Sequence, residues 1–242
     1  SSHPLTRLMQ TAVAANQPIR EIRLEPLEPE HCHEMVAYIL DSPLAQTRAL
    51  AEFLVDLSEG NPLYVSESLS YLHSEDLLYL DDDGQWRWDM HRIRQSQMPT
   101  SVVALFSNKI GKLPPESITL LEYCACMGNS FSPTELADVC EMELLDVFAH
   151  LKPALALGLL MEQKSRLRFI HDKVQEAALS AIPAERRRAI HWQVGTRLWQ
   201  TAAEECGNDW QKADNLFAIV AHLNLGRDES LSPELAYQLS EL

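Results

Sequence analysis

The chain has 242 residues, of which 46% are hydrophobic and 23% charged. This balance is typical of a globular protein with one or two cores and excludes a disordered tail. The 35 Asp and Glu residues against 20 Lys and Arg give a formal net charge of -15, so long-range electrostatics repel nucleic acids and anionic membranes. The low glycine and aromatic content argues against a β-sandwich or barrel and favours a helical protein.

The cysteines and the first residues bear on the compartment. The chain has 5 Cys but no C-x-x-C pair, so we interpret them as reduced thiols. The start, Ser1-Ser2-His3, has no initiator Met, signal peptide or membrane span, so we expect a cytoplasmic piece of a larger protein. His31-Cys32-His33 resembles a metal motif, but neighbouring residues on a helix point about 100° apart, so no metal site is predicted.

A short strand is predicted first. Residues 20–24 alternate polar and apolar side chains before Pro26, as in an edge strand. A helix follows from Glu28, and its spacing places Met35, Tyr38 and Ile39 on one face.

Two further helices complete a small bundle. Residues 44–57 repeat apolar side chains at the helical period, and Gly60-Asn61-Pro62 breaks this helix before a third one over 63–72. Residues 77–80 and 85–88, joined through an Asp-Gly turn, then predict a β-hairpin.

The middle of the chain has the element order of a winged helix-turn-helix domain, in which three helices precede a hairpin. Met98-Pro99-Thr100-Ser101 opens a helix with Val102, Val103, Phe106 and Ile110 inward. The next elements are a helix over 116–127, a short helix capped at Ser132, a helix over 143–157 that contains Pro153, and a hairpin over 159–169. Residue 153 is expected to mark a kink or break, because proline has no N–H to donate.

More helices are predicted towards the end, over 171–180, 185–205 and 210–225, with a last one capped at Ser232-Pro233-Glu234. Such serial helices are typical of the start of an α-helical repeat. The predicted fold class is therefore mainly α: a helical lid bundle, a winged helix-turn-helix domain with small β-hairpins, and the start of helical repeats.

The chain lacks the residues of several common activities. A phosphate-binding loop needs G-x-x-x-x-G-K-[ST], whereas Gly111-Lys112 is preceded by Phe106 and followed by Leu113 at the diagnostic positions. We predict no catalytic residue and no metal ligand. The helix that would read DNA carries Glu143 and Asp146, which repel phosphates, so no direct nucleic-acid contact is expected.

Three segments together resemble a known family: Gly60-Asn61-Pro62-Leu63, then Leu113-Pro114 followed by 121–128, then 169–178 with the sequence Phe-Ile-His-Asp-Lys-Val-Gln-Glu-Ala-Ala. The family is the STAND signalling ATPases of the AAA+ lineage. More closely, the chain resembles the ATPase module of bacterial multidomain sensors that join a serine/threonine-kinase-like domain, this ATPase, helical repeats, a GAF domain and a histidine kinase.

The resemblance implies a domain organisation. Residues 1–27 would be the tail of the nucleotide-binding domain, 28–75 the helical lid, 76–182 the winged-helix domain and 183–242 the start of the helical repeats. Partners would be the upstream nucleotide-binding domain and downstream repeats of the same protein, and other signalling proteins, with no membrane and no direct nucleic acid.

The resemblance also implies a nucleotide site. Pro62 would pack against the base and sugar, with Gly60 giving room for the backbone. His171, followed by Asp172, would reach the β-phosphate of ADP, as the histidine of the Met-His-Asp motif does in related switches. The cofactor of the parent protein would be ATP or ADP with Mg, and none is expected in the isolated chain. A simpler interpretation is a helix N-cap in which Asp172 serves the first turn and His171 is only packed.

The implied function is the regulatory lid and winged-helix part of a STAND ATPase in a sensor kinase, which acts as a nucleotide-dependent conformational switch in signal transduction. The chain alone is not expected to be an enzyme, because it lacks Walker A and Walker B, whereas the parent would be an ATPase and possibly a protein kinase. Two alternatives stay open: part of an ATP-dependent transcriptional activator, or a protein-interaction scaffold without a nucleotide.

Overall fold

The computed structural model describes residues 8–9, 11–12, 14, 20, 22–206 and 215–227. The chain divides into two compact units, Ser1–Val65 and Ser66–Leu242. The described residues are mainly helical, with small antiparallel strand pairs. In chain order the elements are α1 (Pro29–Ile39), α2 (Leu44–Ser58), α3 (Pro62–Ser74), β1 (Leu78–Leu80), β2 (Trp86–Trp88), α4 (Met90–Gln95), α5 (Val102–Gly111), α6 (Pro115–Met127), β3 (Ser130–Phe131), α7 (Pro133–Cys140), α8 (Leu144–Ala156), β4 (Leu160–Gln163), β5 (Arg166–Phe169), α9 (Asp172–Ala181), α10 (Ala184–Cys206) and α11 (Leu216–Gly226).

Helices α1 and α2 pack together in the first unit, as the sequence predicts. The face of α1 that carries Tyr38 and Ile39 is not its buried face. Tyr38 is 88% exposed and Ile39 is 41% exposed, whereas Cys32 and Val36 are fully buried. These buried residues lie one turn apart, so the small Cys and Val side chains define the face that lets the two helices approach.

The strand predicted over 20–24 is wrong. Residues 22–24 are not part of a strand, and Ile22 and Leu24 are 72% and 91% exposed. Alternation alone does not make a strand, because its backbone groups need a neighbouring strand to bond with. In the described part of the chain none pairs with this segment.

The first hairpin of the second unit forms as predicted. β1 and β2 pair antiparallel, with Leu80 opposite Trp86. The Asp81 carboxylate organises the turn, because it accepts hydrogen bonds from the backbone N–H groups of Asp83 and Gln85 and from Nε of Arg87. These bonds, that of Gln85 above all, lower the pKa of Asp81. Trp86 is half-buried and meets the His73 ring edge-on at 5.3 Å, so it packs within the fold.

The short helix α4 is absent from the sequence-based prediction. Asp89 caps it by accepting a hydrogen bond from the N–H of His91 at 2.8 Å, and Ile93 is its buried residue. With a single buried apolar side chain, six residues are too few to show a helical period. Helix α5 begins one residue after its Ser101 cap, and Phe106 and Ile110 are buried as expected, whereas Val102 and Val103 are only half-buried.

A three-stranded sheet closes the middle of the second unit. Its order is β3-β5-β4, and both pairs are antiparallel. Phe131 of β3 and Phe169 of β5 are buried and meet edge-on with ring centroids 6.1 Å apart. Ser132 caps α7 as predicted. Helix α8 continues through Pro153 to Ala156 as one helix.

Helix α10 is fastened to the elements before it by a chain of hydrogen bonds. The Tyr123 hydroxyl of α6 donates to Oε1 of Gln193 at 2.8 Å, and Nε2 of Gln193 donates to the Val139 carbonyl at 2.8 Å. Burial raises the pKa of Tyr123, so the hydroxyl keeps its proton. Arg197 and Asp138 form an ion pair at 3.0 Å further along.

The last predicted helices are described only in part. The helix predicted over 210–225 is seen as Leu216–Gly226, and residues 210–214 and the cap predicted at 232–234 lie outside the described residues. Among the described helices, none combines the length and the apolar character that a membrane crossing requires. Cys32, Cys124, Cys126 and Cys140 are free thiols, and burial raises the pKa of Cys126 and of Cys140 to about 11.

We expect Tyr123→Phe to lower the free energy of unfolding by about 1 kcal/mol, because it removes a hydrogen bond while its ring can stay in place. Chemical denaturation followed by circular dichroism measures the change. Tyr79→Phe is the matched control, because Tyr79 is 47% exposed and its hydroxyl has little to lose. Equal stability of the two variants would show that the link from α6 to Gln193 contributes nothing.

Candidate functional site

The first candidate element is the turn between α2 and α3. Gly60 is buried and has a φ of +79°, and its carbonyl accepts a hydrogen bond from the Leu27 N–H at 2.8 Å. Its own N–H donates to the Ser58 hydroxyl at 3.2 Å. The turn therefore joins the segment before α1 to the end of α2.

Glycine is required at position 60 for two physical reasons. A φ of +79° lies in the left-handed region that disfavours L side chains. A Cβ at this position would also lie 2.5 Å from the Leu27 carbonyl oxygen and 2.9 Å from Cβ of Pro26. The close approach of the backbone to 26–27 explains the glycine without any ligand.

Pro62 follows as the first residue of α3 and is exposed. Asn61 caps that helix, since its Oδ1 accepts hydrogen bonds from the N–H groups of Leu63 at 3.0 Å and Tyr64 at 3.2 Å. Proline suits a first helical position because it has no N–H to satisfy. The apolar ring of Pro62 is thus held at a fixed, exposed helix start.

The second candidate element is the start of α9. His171 is the N-cap of this helix, and its Nδ1 accepts a hydrogen bond from the Lys173 N–H at 3.0 Å. Ser, Thr, Asp and Asn are the usual N-caps, so an imidazole in this role is uncommon. The side chain of His171 remains 43% exposed.

The two contacts of His171 Nδ1 require different states of the ring. Nδ1 also lies 2.6 Å from Oδ1 of Asp172, which would be an ion pair only if Nδ1 carried a proton. The two contacts exclude each other, because a protonated Nδ1 cannot accept from Lys173. A proton on Nδ1 allows the contact with Asp172, whereas the tautomer that caps α9 carries its proton on Nε2. Nε2–H is then an available donor.

Helix α9 is tied firmly to its neighbours. Val174, Ala177 and Ala178 are buried, and α9 packs on α5 and α6. Nε2 of Gln175 donates to the Ala125 carbonyl of α6 at 2.9 Å. A displacement of His171 would therefore be transmitted to α6.

The four predicted site residues fall into two pairs. Gly60 and Pro62 lie in the first unit, and His171 and Asp172 in the second. The structure thus brings each pair together around a helix start, with Pro62 and His171 beginning α3 and α9 respectively.

Charge at the start of α9 is mixed. The N-terminal N–H groups of a helix favour an anion, and Lys173 adds a cation whose pKa is raised by its hydrogen bond to Glu176. The Asp172 carboxylate opposes a phosphate. An anion at His171 would need either an approach on the Nε2 side or a divalent cation to screen Asp172.

Other surfaces give weaker candidates. The described residues contain no group of three or more His, Cys, Asp or Glu side chains placed to hold a metal ion. A cavity of about 650 Å³ between α7, α8 and α10 is lined by Asp138, Glu141, Glu143 and Asp146 with the one cation Arg197. These carboxylates repel phosphates, so this surface of α8 is unsuited to DNA.

Sequence reasoning missed one polar cluster, a buried pair formed by His191 of α10 and His222 of α11. The two residues are 31 positions apart, on helices whose relative register is set by packing. Each histidine alone follows the apolar pattern of its helix without standing out, so no signal in the sequence pointed to the pair.

No protein-family model matches the chain. The chain is similar to hybrid signal transduction histidine kinase G of Dictyostelium discoideum, with 20% identity over 220 residues. The match covers 74% of this chain and 6% of that protein, so the chain spans a small part of its relative.

We expect Gly60→Ala to destabilise the first unit by about 2 kcal/mol or more, because both the positive φ and the contact with Leu27 oppose a methyl group. Gly84→Ala is the matched control: its φ is +72°, but a Cβ there meets nothing within 4 Å. The control isolates the cost of the φ angle alone, about 1 kcal/mol. Thermal unfolding of the two variants compares them, and equal losses would refute the steric role of Gly60.

Proposed function

We propose that the chain is the lid and winged-helix part of a STAND-type signalling ATPase within a multidomain sensor kinase, and that it acts as a nucleotide-dependent conformational switch. The observation that carries the proposal is the His171 cap, because it fixes a histidine at a helix start with an Nε2–H donor available. The similarity to a signal transduction histidine kinase supports the same area of function.

A winged-helix assignment for the middle of the second unit is part of the proposal. Two observations support it: the elements follow in the order α6, β3, α7, α8, β4, β5, and the sheet order is β3-β5-β4. In a winged helix the wing is a hairpin that pairs with an earlier short strand, and here the β4–β5 hairpin pairs with β3. The acidic surface of α8 supports an intramolecular role over DNA recognition. It argues against direct DNA contact by this chain in a transcriptional activator.

In this proposal ADP and Mg belong to the parent protein, which would include a nucleotide-binding domain. His171 is the residue suited to a β-phosphate, since a neutral imidazole can donate from Nε2 while Nδ1 holds the helix. Pro62 offers an apolar ring to a base, and Gly60 supports the turn that presents it. Asp172 suits a position facing Mg rather than phosphate.

The switch would operate through α9. A phosphate that binds Nε2 of His171 would stabilise the closed arrangement, and its loss would free the start of α9. Because Gln175 ties α9 to α6, and Tyr123 of α6 is tied to α10 through Gln193, the change would reach the helices that follow. Those helices, and further signalling proteins, would be the partners.

The test is the affinity of the parent protein for ADP and ATP, measured by calorimetry with Mg present. His171→Asn is the informative variant, because asparagine is a good N-cap but lacks the imidazole. We expect this variant to keep its thermal stability and ATP affinity and to lose about 10- to 100-fold in ADP affinity, the size of a hydrogen bond to a charged group.

His171→Ala is the companion variant, which removes the cap as well and should cost about 1 kcal/mol of stability in addition. If His171→Asn bound ADP as tightly as the wild type, His171 would be only a cap. If the wild type bound neither nucleotide, the switch would be refuted and a protein-interaction scaffold would be favoured.

A further inference from the structure

The buried histidine pair joins the last two described helices. Nδ1 of His191 lies 2.9 Å from Nδ1 of His222, and each residue is 9% exposed. The ring centroids are 5.1 Å apart with an interplanar angle of 42°. This is a ring-to-ring hydrogen bond, so one Nδ1 carries a proton and the other does not.

Close packing surrounds the pair. Ile219 and Leu223 of α11 are buried against α10, with Trp192 partly buried beside them. Gly226 allows the approach, because a Cβ there would lie 2.6 Å from Cα of Trp192. The two rings therefore have little room to move apart without separation of the helices.

The two rings are equally exposed, but only His191 lines a cavity. His191 lines a cavity of about 670 Å³ together with the cations Arg187 and Arg188, whereas His222 does not line it. We assign His191, the ring that lines the cavity, as the donor and His222 as the acceptor. A first proton then binds Nε2 of His191 and leaves the hydrogen bond intact, whereas a second must bind Nδ1 of His222 and break it.

The charged and ionisable groups around the pair influence the order in which the two rings bind protons. On α10, Arg187 and Arg188 oppose a cation at His191, and Glu185 also lines the cavity. The residue from α6 there is Cys126, whose thiol is protonated, and α9 contributes the uncharged Gln175 and Leu179. On α7, Asp138 is paired with Arg197, and the described residues of α11 carry no ionisable group besides His222.

We propose that His191 and His222 form an acid-operated latch, which holds α11 on α10 while His222 is neutral and releases it when both rings are charged. The latch is independent of the nucleotide switch. It would make the helices that follow the winged-helix region sensitive to proton concentration.

The direction of the pH effect follows from the His222 environment. Burial, and then the charge of His191, lower the pKa of His222 to about 4 from 6.5, and burial and Arg187 lower the pKa of His191. The released state binds the proton more tightly than the latched state. The latch is therefore fully stable above about pH 6.5 and is lost as the pH falls towards 4.

Hydrogen–deuterium exchange of the α11 amides in the whole chain tests the latch. After correction for the intrinsic rates, we expect the opening constant to rise about 20-fold between pH 7 and pH 5, as a shift of the His222 pKa from 6.5 to about 4 requires. His222→Gln keeps a hydrogen-bond acceptor but does not titrate, so its rise should be clearly smaller than that of the wild type. His31→Gln, on an exposed histidine of α1, should behave as the wild type.

An α11 protection that does not change with pH in the wild type, or an equal rise in His222→Gln, would overturn the proposal. If His222→Gln leaves α11 unprotected at pH 7, the protonation state of His222 in the wild type is measured instead, from the imidazole ¹⁵N chemical shifts. A neutral His222 ring at pH 5 supports the latch. A His222 ring that titrates near pH 6.5 refutes it.

Discussion

Burial of α6 on nearly all sides is the constraint on which the second unit depends. Helices α8, α9 and α10 and strand β3 pack against it, and its buried residues extend from Ser117 to Cys126 around the helix. A helix buried all round cannot shift without repacking its neighbours. The backbone carbonyl of Ala125 and the Tyr123 hydroxyl use this rigid position to hold Gln175 and Gln193.

The stretches that could be predicted from the sequence are those in which local chemistry decides the structure. Ser132 and the Pro-containing starts of α6 and α7 mark helix ends through capping and the missing proline N–H. The 159–169 hairpin follows from its alternation and turn. At the candidate site, the helix start at His171 and the break at Gly60 were predictable for the same reason.

The features that could not be predicted from the sequence are set by packing and pairing with other parts of the fold. The buried face of α1 does not follow from the spacing, because Tyr38 and Ile39 match the period as well as Cys32 and Val36 do, and packing on α2 buries the smaller pair. Residues 22–24 alternate without a strand partner in the described chain. The Nδ1 role of His171 and the His191–His222 bond require distances, which no spacing in a sequence supplies.

The two proposed devices act at different depths. His171 is half-exposed at the start of α9 and is suited to an external ligand, whereas His222 is buried and is suited only to a proton. Since α9 and α10 are both anchored on α6, the proposed ligand at His171 would act on the anchored part of α10. Helix α11 is held to that same α10 by the histidine pair, so in the two proposals acid would uncouple α11 while α6 and α9 kept the proposed nucleotide response.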